Sequence, residues 1–151
     1  MNDITMAIQI ALIAHDGQLD KAGYPYILHP IRVMSNFTQE KYQIVAVLHD
    51  VYEDSDRNIL EVKDLFGEEI YDALNLLTHE KGIPYSTYIK ALKNNDIARA
   101  VKLQDLKDNT NKDRFYKALE KLDDNGKDRL IRKSNVYDKA IKYLTDKITD
   151  Y

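Results

Sequence analysis

Apolar residues recur three and four positions apart along almost the whole chain, from Ile4, Ile8, Ala11 and Leu12 to Leu130, Tyr137, Ile141 and Leu144. Strands are hard to find in this pattern, so the expected fold is all-α. The spacing predicts helices near Pro30–Phe37, with proline in the first turn, and at Lys41–Val51, Glu61–Phe66, Glu68–Leu77, Ser86–Leu92, Asp96–Lys107 and Arg114–Leu122. Breaks are expected from Gly17 to Pro25, at Gly67, at Gly82-Ile83-Pro84 and across Asp123-Asp124-Asn125-Gly126, where glycine, proline and Asn/Asp supply turn chemistry. These read as connections rather than domain boundaries. With 151 residues, 44% of them hydrophobic, the chain has enough apolar material for the core of one domain over residues 1–151.

Within that helical pattern, the apolar run Ile44-Val45-Ala46-Val47-Leu48 leads directly into His49 and Asp50, followed by Glu53 and Asp54. On a continuing helix, residues four apart lie over one another, which would set His49 above Glu53 and Asp50 above Asp54. An imidazole and three carboxylates beside a core segment are costly to desolvate unless paired or neutralised, and a divalent cation does that well. A solvated acidic helix end is the plainer alternative. The chain has no cysteine, which removes disulfides, thiolate zinc sites and cysteine nucleophiles, so any metal here is held by His, Asp, Glu and water.

A metal needs ligands from more than one element. His29 follows Ile27 and Leu28 at a proline-marked helix start, where an imidazole can project into the core, although a lone histidine there is commonly structural. Asp105 is sharper: Ile97, Val101 and Asp105 stand at successive steps of four, which puts a carboxylate on the apolar face of its helix. Asn109, one turn on, adds a neutral donor and acceptor to the same side. The net charge is −3, with 22 basic and 25 acidic residues interspersed, so no basic field favours duplex nucleic acid. No run approaches the length of a membrane span and no signal peptide is legible, which gives a cytoplasmic expectation.

The segments HDGQLDKAGYPYILHP, AVLHDVYEDSD and AVKLQDLKDN occur in the order found in HD-domain phosphohydrolases, and they resemble more narrowly the alarmone hydrolase domain of RelA/SpoT enzymes and their small stand-alone relatives. The resemblance spans roughly residues 11–111, about two-thirds of the chain. It implies an HD-domain helical bundle that removes the 3′-pyrophosphate from guanosine tetra- or pentaphosphate (ppGpp), with His29, His49, Asp50 and Asp105 as metal ligands and manganese (Mn²⁺) as the metal. Ligand type alone also admits iron, zinc or cobalt. By motif position, Glu53 and Asp54 would orient the attacking water or take its proton, Glu53 first. Lys21 and Lys102 could reach phosphates, Asn109 matches a polar site position, and Tyr26 could stack on a base or ribose. His15 and Gln18 match the loop motif and would hold the loop's shape. His79 has no partner visible in sequence and reads as a surface or loop histidine.

Two places differ from the family pattern: Asp20 stands where an arginine usually precedes the lysine, and the segment after Asp105 reads Leu106-Lys107-Asp108-Asn109 where basic and histidine positions are common ahead of the asparagine. An adenine alarmone or another nucleotide phosphate therefore stays open as the substrate, and so does a nucleotide-binding module that retains the metal. A helical adaptor fits worst, since it gives no reason for Asp105 on an apolar face.

Overall fold

The computed structural model describes residues 1–53 and 55–151. The described residues form α1 (Asp3–Ala14), α2 (Leu28–Met34), α3 (Glu40–Leu48), α4 (Glu61–Phe66), α5 (Glu68–Leu77), α6 (Tyr85–Leu92), α7 (Asp96–Asn109), α8 (Lys112–Glu120) and α9 (Asp124–Leu144). The expected all-α class is the one observed; extended pairing among the described residues is a single isolated bridge between Leu19 and Pro25. No helix among them is long and apolar enough to cross a membrane.

Helix α3 is the axis. Residues Ile44 to Leu48 are all at most 1% exposed, as expected of a helix apolar on every side, and α1, α2, α5 and α7 pack around it. Helix α7 also meets α2, α5 and α9, so α2, α3 and α7 bring His29, the end of α3 and Asp105 into one region. The register of α7 is set at its start, where the Asn95 side chain accepts the Ala98 N–H at 2.9 Å. From that cap Ile97, Val101 and Asp105 all point inward and are buried.

Several boundaries differ from the sequence expectation: the helix expected at Pro30–Phe37 runs Leu28–Met34, those expected at Asp96–Lys107 and Arg114–Leu122 run Asp96–Asn109 and Lys112–Glu120, and two further differences have a visible cause. Asp124-Asn125-Gly126, read as part of a turn, form the first turn of α9: Asp123 is the N-cap, accepting the Gly126 N–H at 2.7 Å. Gly126 lies so close to Leu122 and Asp123 that a Cβ there would meet both at 3.0 to 3.1 Å. The helix expected over Lys41–Val51 ends at Leu48. The Ala46 carbonyl, which a continuing helix would offer to the Asp50 N–H, instead takes the His49 imidazole Nδ1 at 2.6 Å, and Val51 N–H turns back to Leu48 O at 3.0 Å. His49 is thus the C-cap rather than a mid-helix residue, and the helical stacking of His49 over Glu53 does not form. Asp54 lies outside the described residues.

Candidate metal centre and cleft

Four side chains from three parts of the fold converge at the end of α3. His29, the second residue of α2, brings Nε2 to 3.3 Å from His49 Nε2 and 3.0 Å from Asp105 Oδ1. His49 Nε2 lies 3.4 Å from the same Asp105 oxygen and 3.0 Å from Asp50 Oδ2, which is 3.7 Å from His29 Nε2. His29, His49 and Asp105 are buried, while the Asp50 side chain keeps 21% of its surface, so the cluster opens on the Asp50 side.

The other imidazole nitrogens fix the tautomers. His29 Nδ1 meets Asp108 Oδ2 at 2.6 Å and His49 Nδ1 meets the Ala46 carbonyl; both partners are acceptors, so each Nδ1 carries the hydrogen. In the neutral rings both Nε2 lone pairs are then aimed at one point, facing each other and two carboxylate oxygens. Anchoring the far nitrogen on a carboxylate or carbonyl is how proteins orient histidine toward a metal. Burial acts against protonating either ring, yet Asp105 and Asp108 around His29, and Asp50 and Asp105 around His49, outweigh it and hold both above the ordinary histidine range. The same anionic field favours a divalent cation in place of the proton. The donor set therefore fits such a cation: one ligand atom each from His29, His49 and Asp105 all lie within 4.8 Å of one another.

Tyr26, Lys102 and Asn109 contact this cluster. The Tyr26 hydroxyl donates to Asp50 Oδ2, and the residue lines the adjoining cleft. Burial and Asp50 push that hydroxyl's pKa up. Burial raises the Asp50 carboxyl, but adjacent His49 reverses this and leaves it at about 2. Lys102 places Nζ 2.8 Å from Asp105 Oδ2 with only 11% of its side chain exposed, making it the counter-charge of a buried carboxylate. Burial opposes both charges, but their mutual attraction prevails, with Lys102 held well above and Asp105 well below the ordinary range. Asn109 Nδ2 donates to Asp105 Oδ1 at 3.0 Å. Glu53 stands in the turn after α3, where its Oε1 accepts the His79 N–H at 2.8 Å.

His79 is the loop residue expected, half-buried, with partners that only the fold supplies. Its Nε2 donates to the Ile83 carbonyl at 2.6 Å and its ring stacks on Tyr88, centroids 4.5 Å apart. The loop between Ala14 and Leu28 is held as its motif suggested: His15 Nδ1 meets Gln18 Oε1 at 3.0 Å, and the Gln18 amide donates to Ala14 O. Asp20 has a local task, its Oδ1 accepting the N–H groups of Ala22 and Tyr24 at 2.9 Å each. Gly23, at φ +86°, completes that turn in a conformation side-chain-bearing residues rarely adopt.

Beside the cluster lies a cleft of about 370 Å³, bounded by the Asp20–Ala22 loop, Tyr26, His29, Arg32, Asp108, Asn109, Arg114 and, from α9, Lys133 and Tyr137. That volume falls within the range of small-molecule sites. Lys21 is exposed on its wall, and burial together with Lys133 and Arg129 lowers its pKa. The sequence reading missed Arg32, Asp108, Arg114 and Lys133. Asp108 was detectable, since Asp105, Asp108 and Asn109 stand at i, i+3 and i+4 on one helix face. The arginines and α9 come from distant segments with no such signal.

No family model matches the chain. It is 33% identical over 89 residues to guanosine-3′,5′-bis(diphosphate) 3′-pyrophosphohydrolase of Aquifex aeolicus and 38% identical over 79 residues to the protein of that name from Borreliella burgdorferi. It is 34% identical over 71 residues to the bifunctional (p)ppGpp synthase/hydrolase SpoT of Escherichia coli. These alignments cover 56%, 50% and 44% of this chain, which spans only 13%, 12% and 10% of the relatives' own length. A solved structure of a metazoan ortholog of SpoT, described as hydrolysing ppGpp, superposes with a TM-score of 0.62 at 22% identity, covering 97% of this chain and 96% of that one. The chain thus has the fold of that SpoT ortholog, and about half of it is similar in sequence to alarmone pyrophosphohydrolases.

Proposed function

We propose that residues 1–151 form a single metal-dependent phosphohydrolase domain that removes the 3′-pyrophosphate from guanosine tetra- or pentaphosphate, in a cytoplasmic setting. The observation that carries this reading is the convergence of His29 Nε2, His49 Nε2, Asp50 Oδ2 and Asp105 Oδ1, with both Nδ1 atoms anchored, at the edge of a cleft lined by cations. The similarity to proteins named for this reaction supports the choice of substrate.

His29, His49, Asp50 and Asp105 would hold the metal, and manganese is the proposed ion, in keeping with a mixed imidazole and carboxylate set. When bound, such a cation lowers the pKa of water and neutralises charge developing on phosphate oxygens. The chain's own residues supply the rest. Glu53 takes the proton of the attacking water, with the His79 N–H holding one of its oxygens in place. We assign Asp54 a supporting role in the same step. Attack at phosphorus breaks the bond to the 3′ oxygen, releasing pyrophosphate and leaving a 3′-hydroxyl. Lys21 and Lys133 receive phosphate oxygens on the cleft wall, Lys102 balances Asp105, Asn109 sits at the rim, and Tyr26 steadies Asp50 while its ring borders the cleft.

The test is manganese-dependent release of pyrophosphate from the guanosine and adenosine 3′-pyrophosphates in parallel, comparing the native protein with Glu53→Ala. Turnover of the guanosine compound that this substitution abolishes is the expected result. Preference for the adenosine compound would move the substrate, and no turnover of either by metal-loaded protein would reduce the reading to a binding module.

A further inference from the structure

Asp108 has more positive charge around it than its own pairing requires. The Arg32 guanidinium lies side-on to it, with Nε 3.0 and 3.3 Å from its two carboxylate oxygens and Nη2 3.1 Å from Oδ2. Arg114, from α8, adds Nη2 at 2.9 Å from Oδ1 and donates to the Asp108 backbone carbonyl. Oδ2 also receives the His29 Nδ1 hydrogen. One guanidinium would neutralise this carboxylate, so two leave a positive charge uncompensated. Among the described residues, the Nη1 groups of both arginines take no acceptor. Both side chains stay accessible, 35% exposed for Arg32 and 26% for Arg114, and both line the cleft.

The wall around them does not supply the missing anion. Four cations, Lys21, Arg32, Arg114 and Lys133, face two carboxylates, of which Asp20 is turned to the N–H groups of its own loop and Asp108 is already engaged. Arg32 is anchored through Nε and Nη2 and Arg114 through Nη2, so each guanidinium is held at Asp108 with Nη1 left as a positioned, charged donor of the kind that binds phosphate oxygens.

We propose that Arg32 and Arg114, braced on Asp108, form a phosphate-receiving clamp that holds an anionic phosphoryl group of the substrate beside the metal cluster. This rests on the phosphohydrolase reading for the identity of the substrate, though not for the existence of an anion site. Arg114 is the residue to test, because the Arg32, Asp108 and His29 contacts persist without its side chain.

The probe is inorganic pyrophosphate, titrated into manganese-loaded protein by calorimetry, with metal content and thermal melting measured on each variant. Arg114→Gln should weaken pyrophosphate binding about tenfold to a hundredfold, the effect of losing a charge-assisted hydrogen bond. Metal content should be unchanged. Arg114→Lys, which keeps the charge and loses the anchored guanidinium, should fall between, and Lys63→Gln on α4 should bind like the native protein. In turnover assays Arg114→Gln should raise KM by a similar factor with kcat within a few-fold. Native-like pyrophosphate binding by Arg114→Gln overturns the clamp. So does a loss of binding that only tracks a loss of manganese, since Arg114 would then act through Asp108 on His29. Arg114-dependent pyrophosphate binding by a protein that turns over neither nucleotide sustains the clamp and removes only the substrate reading.

Discussion

The floor of the site and its wall handle charge in opposite ways. On the floor, His29, His49 and Asp105 are at most 5% exposed and are braced from behind, each Nδ1 on an acceptor and Asp105 on Lys102 and Asn109, while the two Nε2 lone pairs and the carboxylate oxygens face one another. On the wall, Lys21, Arg32, Arg114 and Lys133 outnumber their carboxylate partners and remain open to the cleft. Burial explains the contrast, since a charge removed from water must be paired, whereas one at a cleft mouth stays hydrated until a ligand replaces the water. The floor is therefore built to be completed by a cation, and the wall by an anion.

If this division holds, changes to the floor should cost metal and stability, and changes to the wall should mainly affect ligand affinity. The largest effect is expected for Asp105→Ala, which removes a proposed ligand and leaves Lys102 buried without its carboxylate. Loss of bound metal and about 3–5 kcal/mol of stability is the expected outcome, read by metal analysis and denaturant unfolding. Full metal content in this variant would separate the floor from metal binding altogether. Glu53→Gln should lower turnover by about 10²- to 10⁴-fold, the range for a positioned acid–base group, while metal content stays native. Parallel loss of metal and activity would instead place Glu53 among the ligands.

Removing the metal from native protein should destabilise it, by about 2.7 kcal/mol if the free metal had stood at a hundred times its Kd. A melt unaffected by chelator would contradict this. Asp108→Asn sharpens the boundary, because Asp108 touches both regions: metal affinity should drop about 10- to 100-fold through loosened orientation of His29. Smallest is Asp20→Ala, which leaves two loop N–H groups without their acceptor. About 1 kcal/mol of stability should be lost with metal content unchanged; an effect on metal would mean that the loop and the floor are coupled.

The order of the three motifs and the helical periodicity were enough to read the all-α class, the location of most helices, and the residues that converge at the end of α3. That information is local, carried by spacings of three and four and by single polar residues on apolar faces, such as Asp105 after Ile97 and Val101. The same local logic extended α3 too far, because the bond from the His49 ring to the Ala46 carbonyl ends the helix, and nothing in the one-dimensional pattern reveals it. It also left His79 without a partner, whereas its backbone holds Glu53 from 26 positions away.

What the sequence determined, then, is which helices form and which of them carry a polar residue on a buried face, since both follow from propensity and hydrophobic periodicity within a few turns. Only the tertiary structure decided which nitrogen of each histidine is aimed inward, that Tyr26 reaches Asp50, and that Arg32 and Arg114 share Asp108. Those outcomes depend on the packing of α2, α3, α7 and α8 against one another. Groups as far as 79 residues apart meet there, and hydrogen bonds across such separations are chosen by helix packing and by the need to pair every buried charge.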